Sequence, residues 1–457
     1  MATTATIADY IDTNLPRFRE ELFDFLRIPS VSAKSEHRGD MKRAAEWLAD
    51  RMREAGLEVS LEETAGFPIV LGEYRGAGKD APTVLLYGHY DVQPPEPLDE
   101  WTSPPFEPEV RDGKLFARGS VDDKGQLYLH VKAIEAHMKV NKSLPVNLVV
   151  LAEGEEEVGS ANLMPFVNAH RDRLACDYVV ISDTTMVGDG VPTIGTSLRG
   201  LAYLEVHVRG PRTDLHSGSY GGGVVNPATA LARIIASMHD DDWNPTIDGF
   251  LDDVDPMADY REKLKAVPFD HDGFRKDTGT KEIGAKGYTT PERLWIRPTV
   301  EVNGLLSGYT GEGAKTVLPA TAMAKISFRL VPDQDPDRIA ELVEKHIRKV
   351  APDGVEVDVK PLHGGHPWRA TLGSPLYEAA ERARGAAWDA DVVYAGEGGS
   401  IPIVPEFESV LGAPVLLMGF GLPGENAHAP DEWMSMDNFE RGTHAAARLL
   451  DELAPKG

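Results

Sequence analysis

Apolar residues recur at helical spacing through "IADYIDTNLPRFREELFDFLRIPSVS" and "GDMKRAAEWLADRMREAGLEV". This predicts two amphipathic helices, the second stopped by Gly56. Short apolar runs and helical stretches then alternate. "PTVLLYGHYDV" reads as a strand running into a loop and "DKGQLYLHVKAIEAHMKV" as a helix. "VNLVVLA" reads as a buried strand, "SANLMPFVNAH" as a helix capped by Ser160, and "DYVVISD" as a further strand. Such alternation predicts an α/β/α domain built on a mostly parallel sheet.

Near Arg199 the period changes to two. Leu204, Val206 and Val208 alternate with Glu205, His207 and Arg209, and Ile326, Phe328 and Leu330 alternate with Lys325, Ser327 and Arg329. A period of two marks a sheet covered on one face and open on the other. "VNPATALARIIASMH" and "DPDRIAELVEKHIRKV" supply two amphipathic helices, and "GVEVDVKP" another strand. Together they predict a small α+β unit of ferredoxin-like type at residues 199–364. Residues 239–290 are polar and turn-rich and read as an ordered excursion of that unit. The α/β pattern returns in "SPLYEAAERARGAAW", "DVVYAG", "PVLLMGF" and "MDNFERGTHAAARLLDEL". The first domain is therefore expected in two parts, 1–198 and 365–457, with the second unit inserted between them.

Composition narrows the function classes. The chain has 457 residues and 42% hydrophobic content, and no apolar run approaches membrane-spanning length. "MATTATIADYIDTNLPRF" lacks a basic segment followed by an apolar one, so no signal peptide is expected. A single cysteine, Cys176, allows no intrachain disulfide and fits a cytoplasmic location. It precedes a strand and reads as a small core residue rather than a nucleophile. A formal net charge of -26 opposes binding to nucleic acid or anionic membranes.

The chemistry concentrates after strands. "VVLAEGEEEVGSANL" places Glu153, Glu155, Glu156 and Glu157 directly behind an apolar strand. On its own the run reads as a solvated loop. Its position is the carboxyl edge of an α/β sheet, where ligands bind, and like charges held together there call for protons or cations. Equivalent edges carry further metal-type ligands. His89 and Asp91 end a strand and point the same way, so the carboxylate can orient the ring. Asp122 and Asp123 open a helix, where one of them can serve as N-cap. Asp183 ends another strand, and His428 lies in the polar loop "GENAHAPDEW". A mixed carboxylate and imidazole set suits zinc, manganese or cobalt, whereas calcium and magnesium favour oxygen alone.

As an ordered set, these motifs resemble those of the two-metal exopeptidases and deacylases that include glutamate carboxypeptidase, aminoacylase and succinyl-diaminopimelate desuccinylase. The nearest branch is the carnosinase-like cytosolic dipeptidases, and the resemblance runs from "FLRIPSVS" to "GENAHAPDEW". It implies a catalytic domain with an inserted lid and dimerisation domain. It also implies two divalent metal ions, zinc foremost, with manganese or cobalt as alternatives. His89 and Asp183 resemble the ligands of one metal, Glu157 and His428 those of the other, and Asp122 the carboxylate shared by both. Asp91 resembles the orienting carboxylate and Glu156 the general base, while Glu153 and Glu155 match no catalytic role. His216, Thr316, Arg329 and Ser400 resemble substrate-binding residues.

From its own position, Arg329 stands on the polar face of a strand, where it could pair with a substrate carboxylate or simply be solvated. "HSGSYGGG" permits close backbone approach or is a plain turn. The resemblance implies a nonspecific dipeptidase acting on small peptides through an activated water. It further implies a homodimer in which His216 serves the partner's site. An N-acyl amino acid deacylase or desuccinylase would use the same ligands. A binding protein with a calcium-stabilised acidic loop would leave His89, His428 and Glu156 without purpose.

Overall fold

The computed structural model describes residues 6–455 apart from Pro256 and Ala266. Asn147–Glu153 is buried at every position, as a strand covered on both faces must be. It pairs in parallel with Thr83–His89, which pairs in parallel with Tyr178–Ile181, and that strand in parallel with Val415–Leu417. These strands form the parallel centre of a nine-stranded sheet. Its margins are antiparallel. Ile69–Tyr74 joins Glu58–Glu62 to one side of the centre, and Thr193–Leu198 carries Trp368–Arg369 on the other. Val393–Glu397 lies parallel to Thr193–Leu198.

Helices cover both faces. Neighbouring strand residues point oppositely, and Tyr87 meets Phe407 of the helix Ile403–Leu411, whereas Gly88 faces Leu127 of the helix Lys124–Val140. A side chain at Gly88 would stand 2.8 Å from Asp123 Oδ2, so glycine lets the turn carrying the two aspartates close against the strand end. A separate three-stranded sheet, Glu109–Arg111, Lys114–Phe116 and Trp433–Ser435, ties that turn to the segment following His428.

Residues 200–365 contain the second, four-stranded sheet. Its order is Thr299–Ser307, Thr321–Leu330, Gly200–Arg209, Glu356–Gly365, and all its pairings are antiparallel. With the helices Pro227–Ala236 and Pro336–Val350 this is the ferredoxin-like arrangement. Burial alternates strictly along Gly200–Val208, and Leu204, Val206 and Val208 pack with Ala324, Ile326 and Phe328 in a core of their own. On the opposite face Glu205 accepts from His207 Nε2 at 2.6 Å and approaches Lys325 at 3.8 Å.

Two local expectations change. Ser160 does not cap the following helix, which begins at Leu163. The glutamate segment folds into a short helical turn, Glu156–Val158, that returns the Ser160 N–H to the Glu155 carbonyl and leaves Ser160 at φ 49. The excursion at 239–290 is shared between the two units. Ile247 and Phe250 join the core of the four-stranded unit, whereas Met257, Leu264 and Val267 cluster with Val393 of the large sheet and Val187 of a connecting loop. Among the described residues no helix is long and apolar enough to cross a membrane.

Candidate active site

The parallel strands deliver their carboxyl ends to one edge. Thr83–His89 ends in His89, Tyr178–Ile181 leads into Asp183, and Asn147–Glu153 leads into the glutamate turn. His89 is fully buried. Its Nδ1 faces the Asp91 carbonyl at 3.1 Å and the Asp91 carboxylate at 3.3 Å. Nε2 is thereby turned to Asp122 Oδ1 at 3.1 Å and Asp183 Oδ2 at 3.8 Å. On the other side, His428 Nε2 stands 2.9 Å from Asp122 Oδ2 and 3.2 Å from Glu157 Oε2. Asp122 thus gives one oxygen to each group.

Two triads result, His89–Asp122–Asp183 and Asp122–Glu157–His428, each with ligand atoms within 4.8 Å of one another. Their charge state shows what they need. Burial opposes a proton on His89, yet hydrogen bonds to Asp122 and Asp91 hold its pKa well above the usual imidazole range. Hydrogen bonds to Asp122 and Glu157 raise His428 to about 10. Burial pushes Asp183 far up, with Asp122 adding to the shift. The acids draw positive charge onto both imidazoles, and borderline divalent cations meet that demand with this N and O donor set. Two cations sharing Asp122 fit the residues present.

Glu156 stands apart. It lines the same cleft, of about 710 Å³, without belonging to either triad. Burial pushes its carboxyl up to about 8, opposed by His89 and reinforced by Asp183 and Glu157. The other glutamates of the run are occupied locally. Glu153 accepts from Tyr87 Oη at 2.7 Å and Ser160 Oγ at 2.8 Å, and Glu155 accepts from Asn162 Nδ2 at 2.9 Å. Asp123 makes no capping bond, and its Oδ2 accepts the backbone N–H of His89 at 3.2 Å.

Ser400 lines the cleft, and its Oγ accepts from Arg329 Nη1 at 3.0 Å. Arg329 itself lines an adjoining cavity with Arg199 and Glu301. His216 and Thr316 lie together elsewhere: the Ser217 N–H donates to the Thr316 carbonyl at 3.0 Å, and neither residue lines the cleft. His216 is exposed, and its Nδ1 accepts from the Gly218 and Ser219 N–H groups, leaving Nε2 available. His130, His137, His170, His346 and His444 bond to Ser182, Ala447, Phe166, Ser237 and Asp12, away from the triads. Half-buried Cys176 is likewise remote, and burial pushes its thiol to about 12.

The structure adds Ser32, Gln93 and Glu432, which sequence reading passed over, and gives Asp91 a second contact. Asp91 Oδ2 accepts from Ser32 Oγ at 2.6 Å and from the Glu157 N–H at 3.1 Å, so it holds both the His89 ring and the Glu157 backbone. Gln93 Nε2 donates to Glu157 Oε2 at 2.6 Å. Fully buried Glu432 accepts the N–H groups of Gly119, Val121 and Asp122 and the Arg118 guanidinium. No local pattern in the sequence marks Ser32, Gln93 or Glu432 for these roles.

The model of Peptidase family M20/M25/M40 matches residues 85–452. The chain is 33% identical to a Cys-Gly metallodipeptidase of Candida albicans, covering 95% of this chain and 94% of the other. It is 32% identical to a cysteinylglycine-S-conjugate dipeptidase of Corynebacterium striatum, covering 96% and 95%. Among solved structures, an M20 family metallo-carboxypeptidase from Sulfolobus solfataricus superposes with a TM-score of 0.83 at 32% identity, covering 96% and 99%.

Two outcomes are expected from this geometry. Stripping divalent metal with a strong chelator should lower the melting midpoint, and adding Zn²⁺, Mn²⁺ or Co²⁺ should restore it, because cations that bind only the folded site stabilise it. An unchanged midpoint, with metal removal verified by mass spectrometry, would contradict the fit. Glu432→Ala leaves Arg118 and three loop N–H groups without their buried partner and should cost about 3–5 kcal/mol in denaturant unfolding.

Proposed function

This chain belongs to peptidase family M20/M25/M40, and from that premise we propose that it is a metal-dependent dipeptidase. The observation that carries the reading is Asp122 shared between two triads beside a glutamate that neither triad uses. We assign His89, Asp122 and Asp183 to one metal and Asp122, Glu157 and His428 to the other. Zinc is the first choice for this donor set, with manganese or cobalt able to replace it. Bound there, the two cations would polarise the scissile carbonyl and acidify a water. Glu156 takes the proton from the attacking water and returns it to the leaving amine. Asp91 holds the His89 ring so that Nε2 keeps its lone pair for the site.

Arg329, half-buried and fixed through Ser400, is placed to pair with the substrate's terminal carboxylate and so to limit the enzyme to short peptides. In this reading residues 199–364 form the lid and dimerisation domain of a catalytic domain built from 1–198 and 365–457. His216 and Thr316 are remote from their own chain's cleft, which supports a twofold dimer that brings His216 to the partner's site as oxyanion donor. The alternative of an N-acyl amino acid deacylase uses the same ligands. Parallel assays of Ala-Ala against N-acetyl and N-succinyl amino acids, with metal analysis, separate the two: turnover of only the acylated substrates would overturn the dipeptidase reading. A cytoplasmic site of action fits the single cysteine and the substrate class.

Glu156→Gln is expected to keep both metals yet lose several orders of magnitude in kcat, since it removes the proton carrier alone. Glu157→Gln should instead lower metal occupancy. Near-normal activity in Glu156→Gln would remove it as the base. The dimer is tested by mixing inactive His216→Ala with inactive Glu156→Ala. Random exchange makes about half the dimers mixed, each with one intact site, so activity should return to roughly a quarter of wild type. Verified exchange without recovery would show that His216 does not act across the interface.

A further inference from the structure

The hydrolytic chemistry leaves two carboxylates of the cleft unused, Glu397 and Glu425. Glu397 ends the strand Val393–Glu397 and lines the cleft with Asp122, Glu156, Asp183 and Ser400. Its Oε1 accepts the Gly398 N–H at 3.2 Å, and its Oε2 faces Thr185 Oγ1 at 3.4 Å. Thr185 follows Asp183 by two residues, so this carboxylate stands on the Asp183 side of the cleft. The strand fixes its backbone: Glu397 pairs in register with Leu198 of the neighbouring strand.

Its surroundings set it apart from Asp122, Asp183 and Glu425, and unlike Glu156 it is given no proton to carry. Asp122 and Asp183 belong to the triads assigned above to cations. Glu425, which also lines the cleft, has its oxygens filled by the N–H groups of Leu422 at 2.6 Å and Ser435 at 3.0 Å. Among the described residues, no Lys, Arg or His nitrogen lies within 4.0 Å of the Glu397 carboxylate, and no Lys or Arg lines the cleft. Arg199, the neighbouring cation, directs Nε to the Gly398 carbonyl at 3.0 Å. Burial pushes the Glu397 carboxyl upward, and a cation arriving from the cleft would relieve that penalty. The substrate class proposed above carries such a cation. An unblocked dipeptide is a zwitterion: Arg329 answers its carboxylate, and its ammonium needs an anion on the other side of the scissile bond.

We propose that Glu397 recognises the free α-ammonium group of the substrate's N-terminal residue and so selects dipeptides over N-acylated amino acids. This rests on the dipeptidase reading and deepens it. Glu397 is a specificity determinant that touches substrate, and it takes no part in moving the proton.

The test is a two-by-two cycle. Ala-Ala and propionyl-alanine differ only in the α-amine, and wild type and Glu397→Gln differ only in the carboxylate charge. The ratio of kcat/KM for Ala-Ala to that for propionyl-alanine should fall about ten- to a hundredfold in the variant, the coupling expected of a desolvated charge pair. The wild-type ratio should also decline as pH rises through about 8, where an α-amino group loses its proton, and that decline should flatten in the variant. Circular dichroism and metal analysis confirm that each protein is folded and loaded. A ratio that moves less than about threefold would overturn the proposal, as would an equal loss on both substrates. The wild-type preference is a separate readout: if wild type favours propionyl-alanine, the dipeptidase reading fails, whatever the variant does.

Discussion

Everything at the carboxyl edge of the large sheet follows from gathering more negative charge there than the protein can neutralise alone. A buried carboxylate costs several kcal/mol unless it is paired or hydrogen-bonded. Most of the acids at this edge find such partners. Hydroxyls satisfy Glu153, Asn162 satisfies Glu155, and backbone N–H groups reach Asp91 and Asp123. Asp122, Asp183 and Glu157 instead converge on two imidazole nitrogens. The protein therefore spends most of its own donors on the outer acids and, apart from Gln93 at Glu157, leaves the inner ones for the proposed cations. That distribution, more than the number of acids, distinguishes a metal centre from an acidic loop.

Sharing Asp122 makes the centre sensitive to the orientation of one carboxylate. A rotation that favours one triad would starve the other, so the turn at 118–122 must be fixed from behind. Glu432 does this with four hydrogen bonds to Arg118, Gly119, Val121 and Asp122. Trp433, the next residue, pairs with Phe116 in the small three-stranded sheet. The segment that carries His428 and the turn that carries Asp122 are thus one mechanical unit. Asp91 joins the opposite pair, His89 and Glu157, in the same way. Each triad contains a ligand from each of these two units.

What the sequence made legible was set by strand ends. His89, Asp183 and the glutamate run follow apolar strands of unmistakable pattern, and period-two alternation exposed the second sheet. Between Asp122 and Asp123 local pattern was silent, because both precede the same helix. The resemblance picked Asp122, and the tertiary structure supplies the physical difference: Asp123 turns back to the His89 N–H. Ser160 misled for a related reason: a hydroxyl before a helix caps it only when the chain enters extended, and here the entry is a tight left-handed turn. Glu432 and Glu397 were invisible because a glutamate's role depends on what long-range folding places beside it. The spread of residues 239–290 across both cores was hidden likewise, since its apolar residues are few and aperiodic.

The junction between the two sheets decides how the four-stranded unit would meet a substrate held at the proposed centre. The chain leaves the large sheet at Leu198 and re-enters it at Trp368, and the two crossings lie side by side. A side chain at Gly200 would stand 2.7 Å from the Gly365 carbonyl, so glycine is what lets them touch. Ser400 is seated at this crossing: its Oγ donates to the Arg199 carbonyl at 2.5 Å and accepts from Arg329. The group proposed to hold the substrate's carboxylate therefore comes from the four-stranded unit and is oriented by the large one. His216 and Thr316 sit on that same unit and do not line their own chain's cleft. On the proposed dimer, each substrate would be held by metals and base from one chain and by an oxyanion donor from the other. Hydrolysis would then depend on how the small unit is carried as much as on the metals, and residues that bind neither metal nor substrate, such as the glycines of the crossing, would govern it through geometry alone.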